Sequence, residues 1–230
     1  MSLVVGWLME NFVAIASDGK AIAKEENGNA GSVAEDVPKF HLFTPDILIA
    51  AAGEKEFFEV LVRSLQSLVE QSSGDQQLFE YLATAIPLAA QGLLPCLPIH
   101  HQDLLLMGYD ATQKRFRCLS WKRSENFVEH EILYGRVPVM GFGEASNTLA
   151  RELALDRLSK IKNLDEVRPT LEEVIREVAV LVPERINGNV TSCLIYREKR
   201  DENALAKSPV ERDSSGNLDL GGAGPDVRHP

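Results

Sequence analysis

Apolar residues fill positions 3–8 and 12–16, and the polar pair Glu10-Asn11 lies in the short gap between the two runs. Runs of this length, rich in Val, Ile and Ala around a tight polar break, predict two strands joined as a hairpin. The second run stops on Ser17-Asp18-Gly19-Lys20, so this hairpin ends on an acid. A polar, glycine-containing stretch over 24–36 predicts a loop. Residues 39–43 and 47–50 flank Thr44-Pro45-Asp46 and predict a second hairpin, and the wholly apolar run 47–52 suits a strand buried on both faces.

Beyond Gly53 the period changes. Phe57, Phe58, Leu61, Val62, Leu65, Leu68 and Val69 recur at helical spacing until Ser72-Ser73-Gly74. Leu78, Leu82, Ile86 and Leu88 predict a second helix from about Gln76, which Pro87 should kink or break. Strands are then expected over 104–109, 115–121, 127–134 and 137–140. Gly141-Phe142-Gly143 leads into a predicted helix over 144–158, and Leu171, Val174, Ile175, Val178, Leu181 and Val182 mark another over 170–182. Residues 191–196 predict a last strand. From Glu198 the chain is charged, then rich in Gly, Ser, Asp and Pro, a composition that buries too little surface to fold. The expected organisation is one domain over 1–197 and a disordered polar tail over 198–230. Strands grouped apart from helices argue against a βαβ repeat, and two sheets packed face to face with helices outside both would bury every apolar stripe.

Composition narrows the function classes. The 230 residues are 44% hydrophobic and 25% charged, with 34 acids against 24 bases and a net charge of -10. That balance argues against nucleic acid or an anionic membrane as partner. No apolar run is long enough to span a bilayer, and no basic region followed by an apolar core predicts a secretion signal. Cys96, Cys118 and Cys193 are scattered without metal-type spacing, so reduced core cysteines in a cytoplasmic protein are expected. His100-His101 would point to opposite faces of a strand and is read as structural. Gly141-Phe142-Gly143 lacks the third glycine and the βαβ context of a dinucleotide site. No cofactor or metal is expected.

The candidate chemistry is spread over spaced positions: Ser2, Asp18, Lys39, Gly53, Glu184 and Asn187. Each has an ordinary reading by itself. Met-Ser is a common chain start, Asp18 could cap a turn with Gly19, Lys39 could be a solvated strand end, and Gly53 a strand-to-helix turn. In conjunction, over residues 2–197, they resemble the proteasome β-subunit family of N-terminal nucleophile hydrolases. Ser2 stands where that family has its nucleophile, if Met1 is removed, and Asp18 where it has its acid. Val37-Pro38-Lys39-Phe40 looks like its lysine after an enlarged loop. Gly53, fourteen residues later, matches its helix-entry glycine, and Ala51 falls where the family lines its first specificity pocket. Asp18-Gly19 also matches the Asp-Gly pair of the bacterial two-component protease that works with an ATPase.

The resemblance implies a four-layer αββα sandwich in the α+β class and a peptide or amide substrate. It implies a homo-oligomeric ring, with an ATPase as a partner of the bacterial type. A hydroxyl needs a nearby base near neutral pH, and a free α-amine with a reference pKa near 8 can serve as one. In this scheme Lys39 and Asp18 form an ion pair that tunes the amine, and the Gly53 N–H stabilises the oxyanion. Three positions depart from the family. The nucleophile is serine rather than threonine, Glu144 follows the glycines where catalytic members carry serine, and the late Asp-x-x-Ser-Gly element reads Glu184-Arg185-Ile186-Asn187-Gly188. Those departures leave a second reading, a non-catalytic structural or interaction subunit on the same fold, and a third, a small-molecule amidohydrolase.

Overall fold

The structure, a computed structural model, describes residues 2–24, 30–34, 37, 39–72, 76–97, 99–141, 143–183 and 186–197. The expected tail over 198–230 lies outside them, as do Met1, Pro38, Phe142 and Glu184. In chain order the described residues form β1 (Leu3–Leu8), β2 (Phe12–Asp18), β3 (Ala21–Lys24), β4 (Ala30–Ala34), β5 (Phe40–Thr44) and β6 (Ile47–Gly53). Helices α1 (Lys55–Gln71) and α2 (Leu78–Leu93) follow, then β7 (Gln102–Asp110), β8 (Arg115–Lys122), β9 (His130–Glu131) and β10 (Val139–Gly141). The last elements are α3 (Glu144–Leu158), α4 (Val167–Leu181) and β11 (Val190–Tyr196). All strand pairings are antiparallel. One sheet runs β10-β1-β2-β11, a second β5-β6-β7-β8-β9, and β3-β4 forms a separate hairpin.

Successive side chains on a strand point to opposite faces, and both large sheets use both faces. On β1 and β2, Val4, Leu8, Val13 and Ile15 meet Leu48, Ala50 and Ala52 of β6 and Leu105 and Met107 of β7 between the sheets. The alternate residues Leu3, Val5, Ala14 and Ala16 turn outward onto Ala150 and Ala154 of α3 and Leu171, Val174, Ile175 and Val178 of α4. On the second sheet Ile49, Leu104, Leu106, Leu119 and Trp121 turn outward onto Phe57, Leu61 and Leu65 of α1 and Leu82 and Ile86 of α2. Three apolar interlayers therefore separate four layers, and the expected αββα sandwich is the observed one.

Several expectations are corrected. The 24–36 stretch is not all loop, since Ala21↔Ala34 and Ile22↔Val33 pair as a hairpin. Pro87 does not break α2, which runs through it. One missing N–H is outweighed by an apolar stripe of Leu78, Phe79, Leu82, Ala83, Ile86 and Ala90 held in the interlayer. The strand expected over 127–134 shrinks to His130–Glu131, because Asn126 and Phe127 adopt left-handed φ of 53° and 57°. That turn sends the Phe127 ring under α1, stacked 6.2 Å from Phe57. His100 and His101 precede β7 rather than lying on a strand. Cys118 is buried, but Cys96 is exposed rather than in the core.

Ile15 is fully buried between the sheets, so Ile15→Ala should leave a cavity in the central interlayer. Urea denaturation should show a loss of about 2–5 kcal/mol; a loss below about 1 kcal/mol would mean that the two sheets do not pack through this residue.

Candidate functional site

The strands bring the candidate residues to one rim of the sandwich. Ser2 sits immediately before β1 and is 5% exposed. Asp18 closes β2, Lys39 precedes β5 and Gly53 closes β6. Ser2, Lys39, Ala51 and Gly53 line one cleft of about 540 Å³, together with Phe40, Phe58 and Val62 and the polar side chains of His41, Lys55 and Arg63.

Asp18 is fully buried behind this rim. Its Oδ1 accepts the Leu3 N–H at 2.7 Å, and its Oδ2 accepts the Lys20 N–H at 3.1 Å. Burial pushes its carboxyl above the usual value; the Leu3 N–H, the Lys39 charge, the Lys20 N–H and the chain's N-terminal charge act the other way. Lys39 is 6% exposed, and its Nζ donates to the Lys20 carbonyl at 2.9 Å. Burial lowers its pKa, the field of Asp18 raises it, and Lys55 lowers it again. The two groups thus influence each other electrostatically, but the expected ion pair is not made at contact distance: among the described residues no Asp18–Lys39 bridge forms, and the ammonium is held by a backbone carbonyl.

Gly53 has φ 147°, a conformation L residues rarely adopt. A Cβ there would meet the Gln102 carboxamide and come within 2.6 Å of the His101 carbonyl oxygen, so the position admits only glycine. Ala51 N–H donates to Lys39 O at 2.8 Å. Two residues on, the strand's alternation turns the Gly53 N–H to the same edge, where β5 has run out and the cleft opens. The α1 N-terminus follows at once and adds its positive dipole end.

Asn187 and Glu144 do not line the cleft. Asn187 braces the acid's neighbour instead of facing the cleft: its Oδ1 accepts the Gly19 N–H at 3.1 Å, and its Nδ2 is buried with no hydrogen-bond partner. Glu144 is exposed on the first turn of α3. The glycines before it do contribute, because Gly141 packs so closely on the Ser2 carbonyl that a Cβ would lie 2.9 Å from it, and Asn147 Nδ2 donates to Gly141 O at 3.1 Å. Glu184 lies outside the described residues. Sequence reasoning missed Gln102, which lines the cleft and is fully buried. A lone Gln at the start of a strand carries no pattern by which to find it. Among the described residues no group of three or more His, Cys, Asp or Glu could hold a metal ion, and no helix is long and apolar enough to cross a membrane.

Two antiparallel sheets packed between helix pairs make a four-layer sandwich of proteasome-like fold. A solved structure of this architecture is that of eukaryotic HslV from Trypanosoma brucei, which is similar over 85% of this chain and 99% of that one, with a TM-score of 0.55 and 14% identity. At that identity the likeness is one of fold. No protein-family model matches the chain, and no curated protein matches its sequence.

The mutual field of Asp18 and Lys39 gives a pH prediction. Lys39 holds the Asp18 carboxyl down against burial, so Lys39→Met should move the Asp18 titration further upward in a carboxyl NMR titration. The linkage has opposite signs for the two groups. Asp18, raised from 3.8, loses its stabilising contribution as pH rises through its folded value; Lys39, lowered from 10.5, loses its contribution as pH falls through its folded value. An Asp18 titration that stays put or falls in Lys39→Met would show that the ammonium is not electrostatically coupled to the carboxylate.

Proposed function

We propose that this chain is a proteasome-like peptidase or amidase whose nucleophile is the Ser2 hydroxyl, bared as the first residue once Met1 is removed. The single observation that carries the reading is the cleft in which Ser2, Lys39 and Gly53 converge from three separate strand ends. Ser2 Oγ attacks the carbonyl carbon of a peptide or amide, and its proton passes to the Ser2 α-amine. The carbonyl oxygen becomes an oxyanion facing the Gly53 N–H; loss of such a donor costs roughly 3 kcal/mol of barrier. Collapse returns the proton to the departing amine and leaves an ester on Ser2. Water, deprotonated by the same α-amine, then attacks that ester, releases the acid and restores the hydroxyl. Lys39 keeps positive charge beside the amine and favours its neutral, proton-accepting form, while Asp18 anchors the strand that carries Ser2.

On the same reading the subunits assemble as a homo-oligomeric ring, with an ATPase as partner. The non-catalytic alternative draws on Asn187, which is spent on the Gly19 N–H, and on Glu144, which points to solvent.

Intact mass of the purified native protein, before and after treatment with a peptide epoxyketone, separates the two. That probe needs a hydroxyl and a free amine on the same residue. Expected are loss of Met1 and one adduct, abolished by Ser2→Ala. Retained Met1 with no adduct would overturn the enzymatic reading and leave the non-catalytic one. A second expectation is that Gly53→Ala folds less stably, by about 1–3 kcal/mol for forcing a side chain into this backbone conformation, and forms no adduct; unchanged labelling would remove Gly53 from the site.

A further inference from the structure

Gln102 is the first residue of β7 and pairs with Gly53, the last of β6. It is fully buried and lies against the cleft. Its Oε1 accepts the Glu54 N–H at 2.8 Å, and its Cδ would lie 2.9 Å from a Cβ on Gly53. Its Nε2 is buried with no hydrogen-bond partner. A buried amide left half unsatisfied is unfavourable, and an apolar side chain would fill the space without that penalty.

Glu54 is the N-cap of α1, and its own side chain makes no cap hydrogen bond. The cap is supplied from another strand: the Gln102 carboxamide holds the peptide that follows Gly53 and packs under the Gly53 Cα. A glycine at φ 147° has the widest choice of backbone angles of any residue and holds no orientation by itself. The Gly53 N–H lies in the peptide that enters this Cα, and holding the peptide that leaves it fixes the turn on the other side. The β6 ladder holds one side, through Ala52 opposite Asp103, and Gln102 holds the other.

We infer that Gln102 is a positioning residue, which clasps the β6–α1 turn and thereby aims the Gly53 N–H into the cleft as the oxyanion donor. The inference rests on the reaction proposed above, and its test keeps the two separable. Two variants of the full chain are compared with wild type: Gln102→Met, similar in volume but without the acceptor, and Gln102→Glu, which keeps an acceptor oxygen.

Amide hydrogen exchange at Glu54 reads the clasp directly. It should quicken about ten-fold or more in Gln102→Met and stay near wild type in Gln102→Glu, since each 1.4 kcal/mol of lost closure is a factor of ten. With a fluorogenic peptide amide, kcat should fall about 10- to 100-fold in Gln102→Met with KM little changed, and recover in Gln102→Glu, because the donor acts on the transition state and not on the bound substrate. Unchanged exchange in Gln102→Met, or a loss confined to KM, overturns the assignment. If Gln102→Met does not fold, Gln102→Glu decides: near-native exchange at Glu54 sustains the clasp, and loss of protection overturns it. A wild-type chain without amidase activity or epoxyketone adduct would defeat the proposed reaction and with it the oxyanion role; the exchange data would then still decide whether Gln102 sets the turn.

Discussion

The Asp18 carboxylate is the constraint around which the rim of this molecule is arranged. It lies at the end of β2, fully buried, and binds the first backbone N–H of β1 at 2.7 Å. Hydrogen bonds to a charged acceptor are worth about 1.5–3 kcal/mol, more than neutral ones, because the acceptor's charge is otherwise uncompensated in a medium of low dielectric. Leu3 is therefore held at its N–H as well as by its side chain, which lies among α3 and α4 residues. That bond adds to the pairing of Leu3 with Gly141 in holding the start of β1, and with it the residue before it, Ser2. The second oxygen takes the Lys20 N–H and turns the chain out of β2, so that the Lys20 carbonyl comes to receive the Lys39 ammonium. One buried charge thus places both a hydroxyl and a cation.

This relay explains why the acid and the lysine need not touch. A direct buried bridge gains Coulomb energy only against a large desolvation penalty for both partners. Here each charged group is satisfied by backbone dipoles, and the remaining interaction acts through space. Both retain shifts in the direction that burial imposes, the carboxyl upward and the ammonium downward.

How much of this was legible in the sequence follows from which interactions are local. Strand alternation and helical stripes depend on neighbours within a few positions, so α3 is found at residues 144–158 as the pattern predicts, and so is the β1–β2 hairpin. The strand expected over 127–134 was lost to a tertiary effect, the burial of Phe127 beneath α1, which no period can announce. Asp18, Lys39 and Gly53 entered the candidate site through a family resemblance in which their conjunction counts, and in the structure Asp18 and Gly53 close strands while Lys39 precedes one. What spacing could not carry was partnership. Lys39 bonding to a carbonyl, Asn187 turned to Gly19, and Gln102 beneath Gly53 are contacts across 19, 168 and 48–49 positions of chain, set by how two sheets stack.

The rim and the core make separate demands on the sequence. The three interlayers are built from Val, Leu, Ile, Ala and Phe side chains that interchange freely so long as volume and alternation persist. None of Ser2, Asp18, Lys39, Gly53 or Gln102 belongs to them, though all but Gly53 are buried. A chain can therefore keep the sandwich while its identity with HslV falls to 14%, and can do so whether or not the rim keeps its chemistry. Retention of buried polar groups at the rim is then the more informative feature. A fully buried aspartate, a nearly buried lysine and a half-satisfied buried glutamine are each unfavourable for folding where an apolar residue would serve. Lys39 and Gln102 line one cleft beside a glycine whose backbone geometry disfavours any side chain, and Asp18 lies buried behind the same rim.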